Sequence, residues 1–99
     1  MSTKQEVITF LDAKLKKHPQ TSNKQWYVGI ASDVRARLFS DHNVDEENDH
    51  WAHATAGTSA KAREVEKLYL DAGCDGGGGG GDASTKTVYI YLKSSRTDP

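Results

Sequence analysis

Apolar residues recur along this chain with a spacing that changes from segment to segment. Over residues 3–17, Val7, Ile8, Leu11 and Leu15 fall at helical intervals among Lys4, Glu6, Asp12, Lys14, Lys16 and Lys17, which predicts an amphipathic helix. Ser2 or Thr3 can cap its start, and Pro19 ends it at His18. Residues 20–24 are polar and read as a loop. Residues 25–31 (QWYVGIA) are aromatic and β-branched between polar flanks, the signature of a strand. Ser32 or Asp33 then caps a short helix over about 33–41, with Val34, Leu38 and Phe39 facing inward.

The second half repeats the alternation. Residues 41–57 have no clean period and read as a loop that buries Trp51, with a short strand near 51–55. A third helix over about 59–72 presents Ala62, Val65, Leu68, Tyr69 and Ala72 as its apolar face, and Gly73 supplies a left-handed cap. In the strand 86–92 (KTVYIYL), Val88, Ile90 and Leu92 alternate with Thr87, Tyr89 and Tyr91. The order α-β-α-(loop)-α-β predicts an α+β fold: two strong strands and a weaker third packed with three helices. It forms one domain over 1–93, with 94–99 as a polar tail.

Composition narrows the reading. With 35% hydrophobic and 27% charged residues, 99 residues suit one soluble domain with a modest core. The net charge of −1 provides no overall basic field, so any contact with nucleic acid must come from a local patch. The single cysteine, Cys74, excludes an internal disulfide and fits a reducing compartment. The N-terminal segment is charged throughout and predicts no secretory leader, and no apolar run is long enough for a membrane helix. A cytoplasmic protein without membrane contact is expected.

Candidate chemistry concentrates between Trp26 and Phe39, where a strand delivers Tyr27 and a helix carries Arg35 and Arg37. Helical spacing puts Arg37 and Asp41 on one face, and a guanidinium fixed on a helix suits a phosphate because its planar fork binds two oxygens. Trp26 and Trp51 are expected in the core or at its rim, and either could stack a base if exposed. His42, His50 and His53 lie among Asp41, Asp45, Glu46, Glu47 and Asp49, but lack the Cys/His spacing of structural zinc and read as a solvated acidic loop. The glycines 76–81 follow a helix and precede a strand, with no P-loop lysine, so they read as a connector rather than a phosphate cradle.

YVGI followed by DVRARL resembles the second half of the GIY-YIG nuclease signature. The spacing from Tyr27 to Arg37 matches the family's, and REVEKLYL offers Glu66 where the family places a metal-binding glutamate. Glu64 is the alternative. The likeness covers about residues 24–72, roughly half the chain. It implies phosphodiester cleavage in nucleic acid, DNA before RNA, with one Mg²⁺ (or Mn²⁺) bound by Glu66. Arg37 would neutralise charge on the phosphoryl group and Tyr27 would orient or activate water. Lys24, Trp26 and Arg35 would contact substrate.

The family's first strand, carrying its GIY tyrosine, has no counterpart before Tyr27, where AKLKKHPQT stands; Tyr89 or Tyr91 could supply that phenol. The histidine or tyrosine that the family often places one turn after the arginine is shifted, since Asp41 stands there and His42 follows. A catalytically silent binding or regulatory module, meeting a basic protein partner through the acidic loop 41–49, is the alternative. Size also allows a small accessory protein of a phage or mobile element.

Overall fold

The computed structural model describes residues 4–76 and 85–98. The fold is α+β: a three-stranded antiparallel sheet with three helices. Helix α1 (Lys4–Lys16) leads through a 3₁₀ turn at Asn23–Gln25 into strand β1 (Trp26–Ala31). A short helix follows, closing as a π-helix over Ala36–Asp41, and then strand β2 (Trp51–Thr55), helix α2 (Ser59–Asp71) and strand β3 (Thr87–Leu92). The weak third strand expected near 51–55 is thus present, and the expected helices and strands lie within about a residue or two of their predicted bounds.

The strand order is β1-β3-β2, so the strand latest in sequence occupies the centre. Tyr91 lies opposite Tyr27 and Tyr89 opposite Gly29, while Trp51 and His53 of β2 face Tyr91 and Tyr89 from the other side. Side chains alternate across a strand, and this alternation sorts the sheet into two faces. Trp26, Val28, Ile30, Val88 and Ile90 join Val7 and Leu11 of α1 and Ala62, Val65 and Tyr69 of α2 in the larger core. Ala31, Tyr89 and Tyr91 turn to the opposite face, where Leu38 and Val44 are buried with them.

Local signals explain the ends of α2. Thr58 accepts a hydrogen bond from the Lys61 backbone N–H at 3.1 Å, an N-terminal cap. At the other end Gly73 has φ +112°, and Cys74 N–H bonds back to the Tyr69 carbonyl while Gly73 N–H bonds to that of Leu70. This is the Schellman closure that a glycine permits. The chain then runs beside β1 for one residue, with Val28 N–H donating to the Asp75 carbonyl and Asp75 N–H to that of Trp26, each at 2.8 Å. Gly76 packs so closely on the Val28 carbonyl that a Cβ there would collide with it. The rest of the glycine run, 77–81, lies outside the described residues.

Two expectations are corrected. Leu68, expected on the apolar face of α2, is 43% exposed, and Glu66 is buried with Ala62, Val65 and Tyr69, because packing against the sheet and not helix period alone selects the buried face. The segment 94–98, expected as a tail outside the domain, folds back onto it. Asp98 N–H donates to the His42 carbonyl at 2.8 Å, and Asn43 Nδ2 donates to the Arg96 carbonyl at 2.8 Å. Arg96 also pairs with Asp49 at 2.7 Å and Asp45 at 3.4 Å. No helix among the described residues is long and apolar enough to cross a membrane.

Candidate functional site

The face of the sheet away from α1 and α2 carries a cluster of three tyrosines and a histidine. The Tyr27 ring stacks on that of Tyr91, with centroids 5.3 Å apart and planes at 22°. It stands 6.4 Å from the Tyr89 ring at 16° and 4.7 Å from His42. Tyr89 can lean across β1 because its opposite neighbour is glycine; a Cβ at Gly29 would overlap the phenol. The close approach is a reason for the YVG pattern that does not depend on a turn.

His42 enters this cluster through an irregularity of the helix before it. Its backbone N–H bonds to the Arg37 carbonyl at 2.9 Å, five residues back, which is a π-type closure. Continued as an α-helix, at 3.6 residues per turn, the segment would rotate His42 about 140° away from Arg37. The wider turn absorbs the extra residue and restores histidine and arginine to one side. The one-residue displacement noted in the sequence is thus undone by backbone geometry.

The histidine is fixed at both nitrogens. His42 Nε2 lies 2.8 Å from Tyr89 Oη, and Nδ1 lies 2.6 Å from the Asp98 carbonyl oxygen, with Tyr91 Oη at 3.2 Å from Nδ1. A carbonyl can only accept, so Nδ1 carries a proton. In the neutral ring Nε2 is then the acceptor for the Tyr89 hydroxyl proton. Burial holds the Tyr89 phenol well above the ordinary tyrosine range, reinforced by Tyr27 and Glu66 and opposed by Arg37. Burial, with Tyr27 and Tyr89, does the same to Tyr91. Neither phenol ionises unaided near neutral pH, and His42 is the group placed to take the proton of Tyr89.

The charges of Arg37 and Glu66 both act on the Tyr89 phenol, in opposite senses, and the Tyr27 ring stacks beside it. Arg37 Nε is paired with Asp41 Oδ2 at 3.2 Å on an exposed surface, bearing out the shared face read from helical spacing. Glu66 is 6% exposed, and burial raises its carboxyl above the ordinary carboxylate range against the lowering influence of Arg63. Glu64 points elsewhere, to an exposed pair with Lys4 at 3.2 Å.

Of the expected substrate contacts, Lys24 is exposed in the turn before β1. Arg35 is occupied, with Nη2 2.7 Å from Glu46 and its guanidinium 5.0 Å from the Phe39 ring. Trp26 corrects the reading: it is fully buried on the sheet face opposite Tyr27, with Nε1 donating to Thr21 Oγ1 at 2.9 Å, and cannot stack a base. The acidic loop is also less open than its composition suggests, since Asp45, Glu46 and Asp49 pair with Arg96 and Arg35.

Sequence reasoning gave His42 no role, and only its one-residue displacement from the expected position marked it. Tyr89 and Tyr91 were legible as candidates but not their register. Cys74 is buried, and burial pushes its thiol up to about 11, which fits an inert core residue.

Among the described residues no three His, Cys, Asp or Glu side chains form a metal-holding group. A hydrated divalent cation needs only one or two carboxylates, and Glu66, a carboxylate held at a cost by burial, suits such a partner. Compared with family models, curated proteins and solved structures, the chain matches none.

Proposed function

We propose that this chain is a GIY-YIG-like domain that cleaves phosphodiester bonds in nucleic acid, with β3 standing where the family's first strand would. The observation that carries this reading is the β1–β3 register. It sets Tyr91 against Tyr27 and Tyr89 against Gly29, so that a buried phenol bonds to His42 and lies within the fields of Arg37 and Glu66. The segment AKLKKHPQT need not supply a strand, because the sheet position is already filled from the other end of the domain.

The roles follow from exposure and chemistry. Arg37, at the surface, offsets negative charge growing on the phosphoryl oxygens. Tyr27, half-buried, orients the attacking water. Tyr89 and His42 act behind it as positioning residues, with His42 Nε2 able to hold a proton passed through the phenol. Glu66 would hold Mg²⁺ or Mn²⁺, and a bound cation would supply Lewis-acid stabilisation of the phosphate. Incubation with plasmid, single-stranded and branched DNA in Mg²⁺ or Mn²⁺ tests the proposal. Nicking should appear, and Arg37→Ala and Glu66→Ala should each abolish it. No nicking, or nicking indifferent to both changes, refutes the enzyme.

One observation favours a second reading, a silent binding module. Asp41 already supplies Arg37 with an anion at 3.2 Å, as it would if no phosphate ever displaced it. Stable partner binding without cleavage would support that reading.

A further inference from the structure

A cavity of about 350 Å³ opens between α1 and β2. Phe10 of α1, 56% exposed, forms one wall, and Trp51 and His53 of β2 form another. Trp51 and His53 are stacked, with centroids 5.8 Å apart and planes at 12°, and Phe39 meets Trp51 edge-on at 5.1 Å. Lys14 and Lys17 line the rim, and the remaining lining residues are alanines. In a chain with 14 acidic residues against 13 Lys and Arg, this cavity has two cations and no carboxylate in its lining. His18 and His50 stand next to one another with rings 4.0 Å apart, and His18 is held below the ordinary histidine range by burial, by His50 and by Lys14 and Lys17.

We infer that this groove binds an unpaired nucleotide of a single-stranded nucleic acid, with the base against Phe10 and Trp51 and the flanking phosphates on Lys14 and Lys17. An apolar aromatic floor under a cationic rim matches a planar base joined to anions. Its volume sits at the low end of the range of about 300–1,000 Å³ for small-ligand sites, enough for one nucleotide and too little for a duplex. The groove extends the proposed nucleic-acid reading. Trp51 lies opposite Tyr91, which lies opposite Tyr27, so the backbone of Trp51 stands two strand spacings of about 4.8 Å from that of Tyr27. Binding itself does not require Tyr27, Arg37 or Glu66.

The two tryptophans make the test direct. Trp26 is fully buried, so quenching of intrinsic fluorescence by a short oligodeoxythymidylate reports on Trp51. Saturable quenching is expected, with a log–log salt slope near about −1.4 for two phosphates on a single strand. In anisotropy with a labelled oligonucleotide, the double variant Lys14→Glu/Lys17→Glu and the exposed-site variant Phe10→Ala should each weaken binding by about tenfold or more. Lys16→Glu, on the same helix but outside the groove, should leave it unchanged, and Glu66→Gln should bind as wild type.

Absence of quenching, indifference to the Lys14/Lys17 and Phe10 changes, or equally good competition by polyglutamate would overturn the inference. Cleavage lost with binding retained counts against the nuclease alone. Duplex cleavage retained without strand binding counts against the groove alone.

Discussion

The Tyr89 hydroxyl lies 2.8 Å from His42 Nε2, joining the central strand to a residue 47 positions earlier in the chain. Both groups are buried, and His42 Nε2 is the acceptor of the Tyr89 hydroxyl proton. His42→Ala should leave a buried phenol unsatisfied and destabilise the fold by about 1–3 kcal/mol, whereas Tyr89→Phe removes the donor and should cost less than that. Urea unfolding of the two variants checks the order; equal costs would mean that the bond contributes nothing specific.

Gly29 should tolerate no side chain while Tyr89 is present. Gly29→Ala forces a Cβ into the phenol and is expected to cost about 1–3 kcal/mol. In a Tyr89→Leu background the same change should cost clearly less. A double-mutant cycle with no coupling would show that the phenol does not lie over the glycine.

Segment 94–98 should govern the tautomer of His42. Its Nδ1 proton is held by the Asp98 carbonyl at 2.6 Å, and that residue's N–H returns a bond to the His42 carbonyl. Nitrogen-15 NMR of the full chain should show that the neutral His42 ring carries its proton on Nδ1 and not on Nε2. Removal of residues 94–99 should mix the two tautomers while β3 and its core partners persist; an unchanged histidine spectrum would remove the segment from the site.

Glu66 gives the fold a pH dependence whose sign can be worked out. Its folded pKa lies above the ordinary value of 4.5, chiefly through burial, so ionisation is more costly in the folded chain than in the unfolded one. This penalty is absent below the unfolded pKa, grows as pH rises through the window between the two values, and is complete above the folded one. In chelator, Glu66→Gln should therefore melt higher than wild type at pH 7 and lose that advantage toward pH 4. Mg²⁺ should raise the melting temperature of wild type but not of the variant if Glu66 holds the cation. A wild-type melt indifferent to Mg²⁺ and Mn²⁺ would remove the metal.

Much of the architecture is written in local periodicity, because each helix and strand repeats its apolar residues at its own interval. What the pattern lacks is direction. WYVGIA has no charged or amide residue, and a strand buried on both faces does not announce which face holds Trp26 and which holds Tyr27. Leu68 and Glu66 exchange their expected environments because tertiary packing, not helix period, decides where a boundary residue points.

His42 was hidden for a different reason. Arg37 and His42 share a side only if the helix widens, and no residue in ARLFSD signals that widening. The docking of 94–98 was illegible because its bonds to His42 come from the main chain of Asp98, which any residue would supply.

The strand order has a consequence for how the molecule comes into being. Among the described strands β1 and β2 are not neighbours; each forms its ladder with β3, and the β1–β3 ladder joins Trp26 to Leu92. No hairpin can therefore form early. As the chain leaves the ribosome, both outer strands wait with open edges until residues 87–92 emerge and zip between them. Non-local closure of this kind is slow and exposes partly built states to aggregation. The phenol of Tyr89 arrives with that same strand, so no incomplete chain can carry a finished site.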